Sequence, residues 1–510
     1  MTAPSELLTT RNGEAVALEK IPRHDLAAFQ RIASGAVEGG QRVASFFGYD
    51  AGELGGIDLL MVLANDEDGQ LNILSTSIEG NSFPSMTPDC NQVHLFEREI
   101  AEQFGVRPEG HPWLKPVRYQ ASWRPGRDAW NRPGNQPIVP GSGDFYRVEG
   151  DEIHEVAVGP VHAGVIEPGH FRFQCHGEHV FHLEIALGYQ HRGVEKALVE
   201  QPAKRALHYA ENLCGDTAIG HSTAYCQVVE ALSGCRKTVR AQALRGIALE
   251  FERLANHIGD LGALSGDAGF LPTASYCGRI RGDFLNMTAV LCGNRFGRGM
   301  LRPGGAGYDL DDAGIEDLLT RLEAGEKDAA SAIELLFDTP SVLARFEGIG
   351  LLPADVCREL GIVGPAARAA GLERDVRHDH PSGIYRFAQL PLPTWNSGDV
   401  FGRAFVRWLE IKHSITFIRD QLHALPAGDV RAVTGPLKPG HLAVSLIEGW
   451  RGELCHVALT DAQGKFRRYK VTDPSFHNWA GLAYALRDQQ ISDFPLCNKS
   501  FNLSYCGHDL

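Results

Sequence analysis

A chain of 510 residues exceeds the size at which one hydrophobic core keeps growing, so two or three domains are expected. Hydrophobic residues make up 43% and charged residues 22%, as in globular proteins, and the formal charge of −14 argues against binding nucleic acid or anionic lipid by charge. The apolar runs are short and interrupted, which excludes a transmembrane segment, and MTAPSELLTTRNGEAV lacks the apolar core of a signal peptide. The expected setting is the cytosol, with docking onto a membrane protein as an option.

In chain order, RHDLAAFQRIASGAVEGG has helical spacing and a glycine stop. IDLLMVLAND and QLNILSTSI are apolar runs separated by the turn-forming EDG, and they predict paired strands. SWRPGRDAWNRPGNQPIVPGSGD is rich in Pro, Gly and Asn, as a linker is. VAVGPVHAGVIEPGHFRFQCHGEHVFHLEIAL predicts short strands. Helical patterns follow in GVEKALVEQPAKRALHYAENL, TVRAQALRGIALEFERLANHIGDLGAL and DVFGRAFVRWLEIKHSITFIRDQLHAL. From Glu448 the chain returns to strands, then one last helix and a loop. The fold class is α+β: a small module over residues 1–120, a linker over 121–150, and a large, mainly helical domain with flanking β segments over 151–510.

Eleven cysteines are present and no two form Cys-x-x-Cys, so in a reducing compartment they read as small buried hydrophobes. Iron–sulfur spacings are absent, and the nearest dinucleotide fingerprint, GIGLLP at Gly348, lacks its third glycine. A cluster or NAD held by this chain is not expected.

Cys214, in ENLCGDTAIGHSTAYCQVVE, precedes an apolar helical run. It is either a thiolate favoured by the positive helix end or a buried cysteine. His221, seven residues on, would share its face. In HRGVEKAL, Arg192 and Glu195 stand at i, i+3. They form either a surface ion pair or, if Glu195 is desolvated with a raised pKa, part of a proton relay. The tail DFPLCNKSFNLSYCGHDL carries Cys497, Cys506 and His508 at no standard metal spacing, and its Phe, Leu and Tyr content predicts insertion into the core.

Together these segments resemble a known family. EREIAEQFGVRPEGHPWLKPVRY at 97–119 is similar to the small hydrophilic C subunit of respiratory complex I (NADH-quinone oxidoreductase). GPVHAG, GEHVFHLEIALGYQHRGVEK, GNRFGRGMLRPGG, GPAARAAG, EGWRGELCH and DPSFHNW resemble the complex I quinone-site D subunit and the large subunits of group 4 membrane-bound [NiFe]-hydrogenases. Fusion of the two modules resembles formate hydrogenlyase large subunits.

In such hydrogenases two Cys-x-x-Cys pairs hold nickel and iron. Here the resemblance keeps Cys214 as a metal-ligand remnant and puts Thr217 in the second place. At the terminus it offers Cys506 with Leu503 or, one residue shifted, Ser504 and Gly507. At most two of four ligands survive, and a hard, neutral hydroxyl cannot bridge two metals as thiolate does. A working Ni–Fe site is therefore not expected, although two cysteines with His221 or His508 would suit a zinc-like ion.

The resemblance also implies an acceptor cavity of His162, Asp216 and His221. His162 matches the quinone-site histidine, whereas the family's tyrosine position falls on Gly215, its proline on Ala163 and an arginine on Asn212. Glu195 with Arg192, and Arg451 behind Trp450, match proton-path and cavity residues. By the same resemblance the chain is expected to be the peripheral large subunit of a membrane-bound, complex I-like oxidoreductase on the cytoplasmic side. It would pack against a small iron–sulfur subunit carrying a [4Fe–4S] cluster, a ferredoxin-like subunit and a membrane arm, and it would couple electron transfer to a quinone-like acceptor with ion translocation. Two alternatives stand beside it: a genuine [NiFe]-hydrogenase with atypical ligands, and a non-redox connector.

Overall fold

The computed structural model describes residues 6–51, 56–133, 136–162, 166–201 and 203–510. Ala163, at the proline position, lies outside them.

IDLLMVLAND and QLNILSTSI do pair, as the antiparallel strands Ile57–Asn65 and Gln70–Ile78, in register from Ile57↔Ile78 to Asn65↔Gln70. Arg42–Asp50 and Leu8–Thr10 complete a four-stranded antiparallel sheet. The central strand is apolar on both faces because both are covered. Leu59, Met61 and Leu63 meet Phe29, Phe96 and Ile100 from the helices Leu26–Glu38 and His94–Phe104. Leu60, Val62 and Ala64 meet Leu442, Val444 and Val457 of a second sheet. That sheet runs in the order Phe466–Thr472, Gly452–Thr460, His441–Gly449, Ala15–Ala17, all antiparallel. The N-terminal stretch thus contributes a strand to the C-terminal sheet.

Strands Ile153–Val158, His170–His176 and His179–Ala186 form a third antiparallel sheet. The large helical core gathers Ala218–Ser233, Val239–Asp267, Leu271–Cys292, Asp312–Phe337 and Val400–His423 around residues such as Leu254, Ile258, Ile333 and Ile411, all fully buried. The tail is inserted, as its composition predicts, with Leu510 only 1% exposed. After the last strand the chain forms three α-helices, Pro474–Ala485, Phe494–Phe501 and Tyr505–Asp509, rather than one helix and a loop. Asp473 and Ser504 cap the first and the last with their side chains, a signal easily lost in a short polar interval. No described helix is long and apolar enough to cross a membrane.

Candidate functional site

Three segments meet around Cys214: the turn before the Ala218–Ser233 helix, the Trp450–Arg451 turn between two strands of the second sheet, and the last helix. Cys214 lies in that turn and not in a helix. Its thiol donates to Asp216 Oδ1 at 2.9 Å and stands 3.1 Å from Ser504 Oγ, which in turn is 3.4 Å from Cys506 Sγ. Thr217 Oγ1 is 3.5 Å from the same sulfur. Arg451 closes the group, with Nη1 and Nη2 on the two Asp216 oxygens at 2.6 and 2.8 Å, and Nη1 also 3.4 Å from Cys214 Sγ. Trp450 stacks under the guanidinium at 3.8 Å and donates its indole N–H to the Asp216 carbonyl and to Thr217 Oγ1.

Electrostatics follow from this packing. Burial would raise the Asp216 carboxyl, but Arg451 outweighs it and holds Asp216 down at about 2. Hydrogen bonding to the Cys506 thiol, then burial, then the Asp216 charge push Cys214 well above an ordinary thiol, while the same contact lowers Cys506. Of the two readings of Cys214, the contact with Cys506, with burial and the Asp216 charge, favours the buried neutral thiol over the helix-stabilised thiolate.

At the terminus Leu503 is buried in the apolar cluster that holds Trp479 and Tyr505, and the hydroxyl of Ser504 stands between Cys214 and Cys506. Gly507 has no room for a side chain: a Cβ there would sit 2.6 Å from the Asp473 carboxyl. Asp473 Oδ1 accepts from Ser475 N at 2.8 Å, and Asp473 Oδ2 is 3.2 Å from His221 Nε2. His221 Nδ1 is 3.0 Å from His456 Nε2, and His456 Nδ1 is 2.9 Å from the Tyr469 hydroxyl. With Asp473 ionised, His221 donates to it, His456 donates to His221, and Tyr469 donates to His456, a chain that can reverse polarity as a unit. His221 therefore turns away from Cys214, with both ring nitrogens engaged. His508 is likewise bonded to Asp509 at 3.0 Å.

Arg192 and Glu195 are not partners. Gly193 adopts φ +67° and starts the helix after Arg192, so the i, i+3 geometry does not apply. Arg192 instead donates to the carbonyls of Leu213 at 2.8 Å and Cys506 at 3.1 Å, tying the two sides of the cysteine site together. Glu195 is buried between Arg468 at 2.9 Å and Lys470 at 3.1 Å, and it accepts from Val471 N at 3.0 Å. Burial would raise its carboxyl, but Arg468, Lys470 and Arg118 hold it well below the usual range, the reverse of the raised pKa a relay requires. His162 sits apart on the loop before His170–His176, with Nε2 2.9 Å from the Gly169 carbonyl, which leaves Nδ1 as its acceptor nitrogen.

Sequence reasoning missed Asp473, His456, Tyr469 and Glu252. The first two lie in the blocks DPSFHNW and EGWRGELCH, where inward alternation along a strand is the available signal for His456. Glu252 accepts the N–H groups of Ile219 and Gly220 at 2.7 and 3.0 Å, at the start of the helix that follows Cys214. Among the described residues no group of three or more His, Cys, Asp and Glu is placed to hold a metal ion.

Both modules of the fold have relatives among known proteins. The family profile of the respiratory-chain NADH dehydrogenase 30 Kd subunit matches residues 20–136, and that of the 49 Kd subunit matches 267–439. The carbon monoxide-induced hydrogenase of Rhodospirillum rubrum is 32% identical over 350 residues, covering 68% of this chain and 97% of that protein. Formate hydrogenlyase subunit 5 of Escherichia coli (strain K12) is 29% identical over 90% of this chain and 83% of its own length. NADH-quinone oxidoreductase subunit 4 of Thermus thermophilus is 29% identical over 67% of this chain and 90% of its own length. The chain belongs to the complex I/group 4 hydrogenase-type large subunits, with the 30 Kd-like and 49 Kd-like modules fused.

Proposed function

We propose that this chain is the peripheral-arm large subunit of a membrane-bound, complex I-like oxidoreductase on the cytoplasmic face, working without a nickel–iron centre of its own. The carrying observation is the Arg451–Asp216 pair closed over Cys214. A four-thiolate nickel–iron group does not fit these residues. Two of the facing side chains are the hydroxyls of Thr217 and Ser504, Gly507 cannot carry a side chain beside Asp473, and a guanidinium occupies the cation's side of the sulfur. Positive charge already supplied by Arg451 removes the electrostatic reason for a buried dication.

In this reading the chain walls a cavity beside a [4Fe–4S] cluster held by a small iron–sulfur partner, with a ferredoxin-like subunit upstream and a membrane arm below. Two electrons, passed one at a time through that cluster, and two protons would convert a quinone-like acceptor to its quinol, and the event would be coupled to ion translocation. His162 Nδ1 is the candidate acceptor for a hydroxyl of the quinol form of the headgroup. The Asp473–His221–His456–Tyr469 chain is the candidate proton route, in place of Glu195, whose ion pairs keep it charged. The permanently paired Glu195 also favours a second reading, a connector that transmits force without redox chemistry.

Nickel and iron analysis of the purified native assembly tests the proposal. Four or more irons per chain without nickel, at least the content of one cubane cluster, together with quinone reduction, is the expected result. Near-stoichiometric nickel overturns it in favour of a hydrogenase, and absence of both metals leaves the connector.

A further inference from the structure

A cavity lies where the two modules and the third sheet meet, lined by parts of the EREIAEQFGVRPEGHPWLKPVRY, GEHVFHLEIALGYQHRGVEK and DPSFHNW blocks that the proposed reaction does not use. It has a volume of about 590 Å³, within the range of small-molecule sites. Its walls come from the His94–Phe104 helix, the segment from His111 to Tyr119, the His182–Leu187 end of a hairpin, and the Pro474–Ala485 helix with Arg487 beyond it. The floor is apolar, with Leu95, Val117, Leu183, Ile185, Trp479 and Ala483.

Charge on the walls is unbalanced. Arg98 donates Nε to the Lys115 carbonyl at 2.8 Å and Nη2 to the Pro116 carbonyl at 3.0 Å, and among the described residues no carboxylate pairs with it. The lining holds Arg98, Lys115 and Arg487 against Glu184 and Glu359, one net positive charge in a chain of formal charge −14. Glu184 already accepts from Lys115, the Trp113 indole and Tyr146 N, and it acts on Arg98 through charge without a hydrogen bond to it. The lining histidines add no charge at neutral pH, since burial pushes His94 down to about 3 and His111 to about 4. A guanidinium at the edge of an apolar cavity, held by carbonyls alone, is short of one anion.

We propose that this intermodule cavity binds an amphipathic anion, a molecule with an apolar body and one carboxylate or phosphate head that pairs with Arg98. The proposal is independent of the electron-transfer reading. A fatty carboxylate and an anionic phospholipid share this chemistry.

The test uses the full chain in its purified assembly, with tryptophan fluorescence and calorimetry as readouts for titrations with dodecanoate, dodecyl phosphate and dodecanol. The expected result is saturable binding of both anions, at least tenfold tighter than dodecanol. Arg98→Met is expected to weaken dodecanoate at least tenfold, with Arg98→Lys in between. Because Arg98 also braces two carbonyls, Ala483→Trp provides a second variant that fills the cavity without touching the charge, and it too is expected to cost at least tenfold. Phosphatidylglycerol vesicles that compete with dodecanoate identify a lipid source, and vesicles that do not compete identify a soluble one. Equal binding of dodecanol, full affinity in folded Arg98→Met or Ala483→Trp, or binding by the isolated chain but not by the assembly would each overturn the assignment.

Discussion

Removing the Arg451 guanidinium would strip both oxygens of Asp216 and the Cys214 sulfur of their cation at once. Arg451 is 6% exposed at its side chain and Asp216 34%, so the loss is smaller than for a fully buried pair. Arg451→Met is expected to cost about 2–4 kcal/mol in urea unfolding, and Arg451→Lys less. A change under about 0.5 kcal/mol would show the pair to be solvated. Glu252 carries a different signature. Burial raises its carboxyl to about 8 against the two backbone donors that lower it. The folded state then holds a proton that the unfolded chain releases near pH 4.5, so stability falls as pH rises through the window from about 4.5 to 8, by about 1.4 kcal/mol per unit for this group. Glu252→Gln is expected to flatten the melting temperature between pH 6 and 9. A slope equal to wild type would assign it elsewhere, Glu448, raised to about 7, being the next candidate. Neither residue was legible from spacing. Arg451 was found only through a resemblance, and Glu252 sits mid-helix with no pattern that marks it as the cap of a different helix.

Among the elements, legibility followed length and periodicity. Ile57–Asn65 and Val239–Asp267 were readable because a nine-residue apolar run ending at a turn, or eight helical turns, outvotes local noise. The strand Ala15–Ala17 was not, since three residues carry no period and its partner His441–Gly449 lies at the other end of the chain. The Tyr505–Asp509 helix escaped for the same reason, and with it the meaning of Gly507. Its close approach to Asp473 predicts that Gly507→Ala costs about 1–3 kcal/mol through overpacking, read as a lowered denaturation midpoint with unchanged m-value. A neutral result would mean that Asp473 can move, and that a fourth side chain could fit the site after all. Arg192 and Glu195 give the converse lesson. Their spacing was right for a helix, yet one left-handed glycine between them sent each to a different partner.

In the whole molecule, the two modules are joined by buried charge as well as by apolar faces. Arg42 of the first sheet meets Glu453 of the second, and Lys470 bridges Glu99 and Glu195 with no exposure of its own. Such contacts predict a single cooperative calorimetric transition, with the calorimetric and van't Hoff enthalpies in agreement. Lys470→Met, which leaves two buried carboxylates short of a cation, is expected to lower that one transition by about 3–5 kcal/mol without splitting it. Two resolved transitions would show the modules to be thermodynamically separate.

The first sheet's doubly covered strands set a timetable. Its helical side can close as soon as residue 104 is made, but the side formed by Leu60, Val62 and Ala64 waits for Leu442, Val444 and Val457. At about 5–20 residues per second, the interval of synthesis between them is roughly 20 to 70 seconds. During that time a finished module trails from the ribosome with one apolar face bare. Production of this chain is therefore governed by how well that face is shielded while the rest is translated, so a holding chaperone should raise its yield more than any stabilising substitution in the finished core.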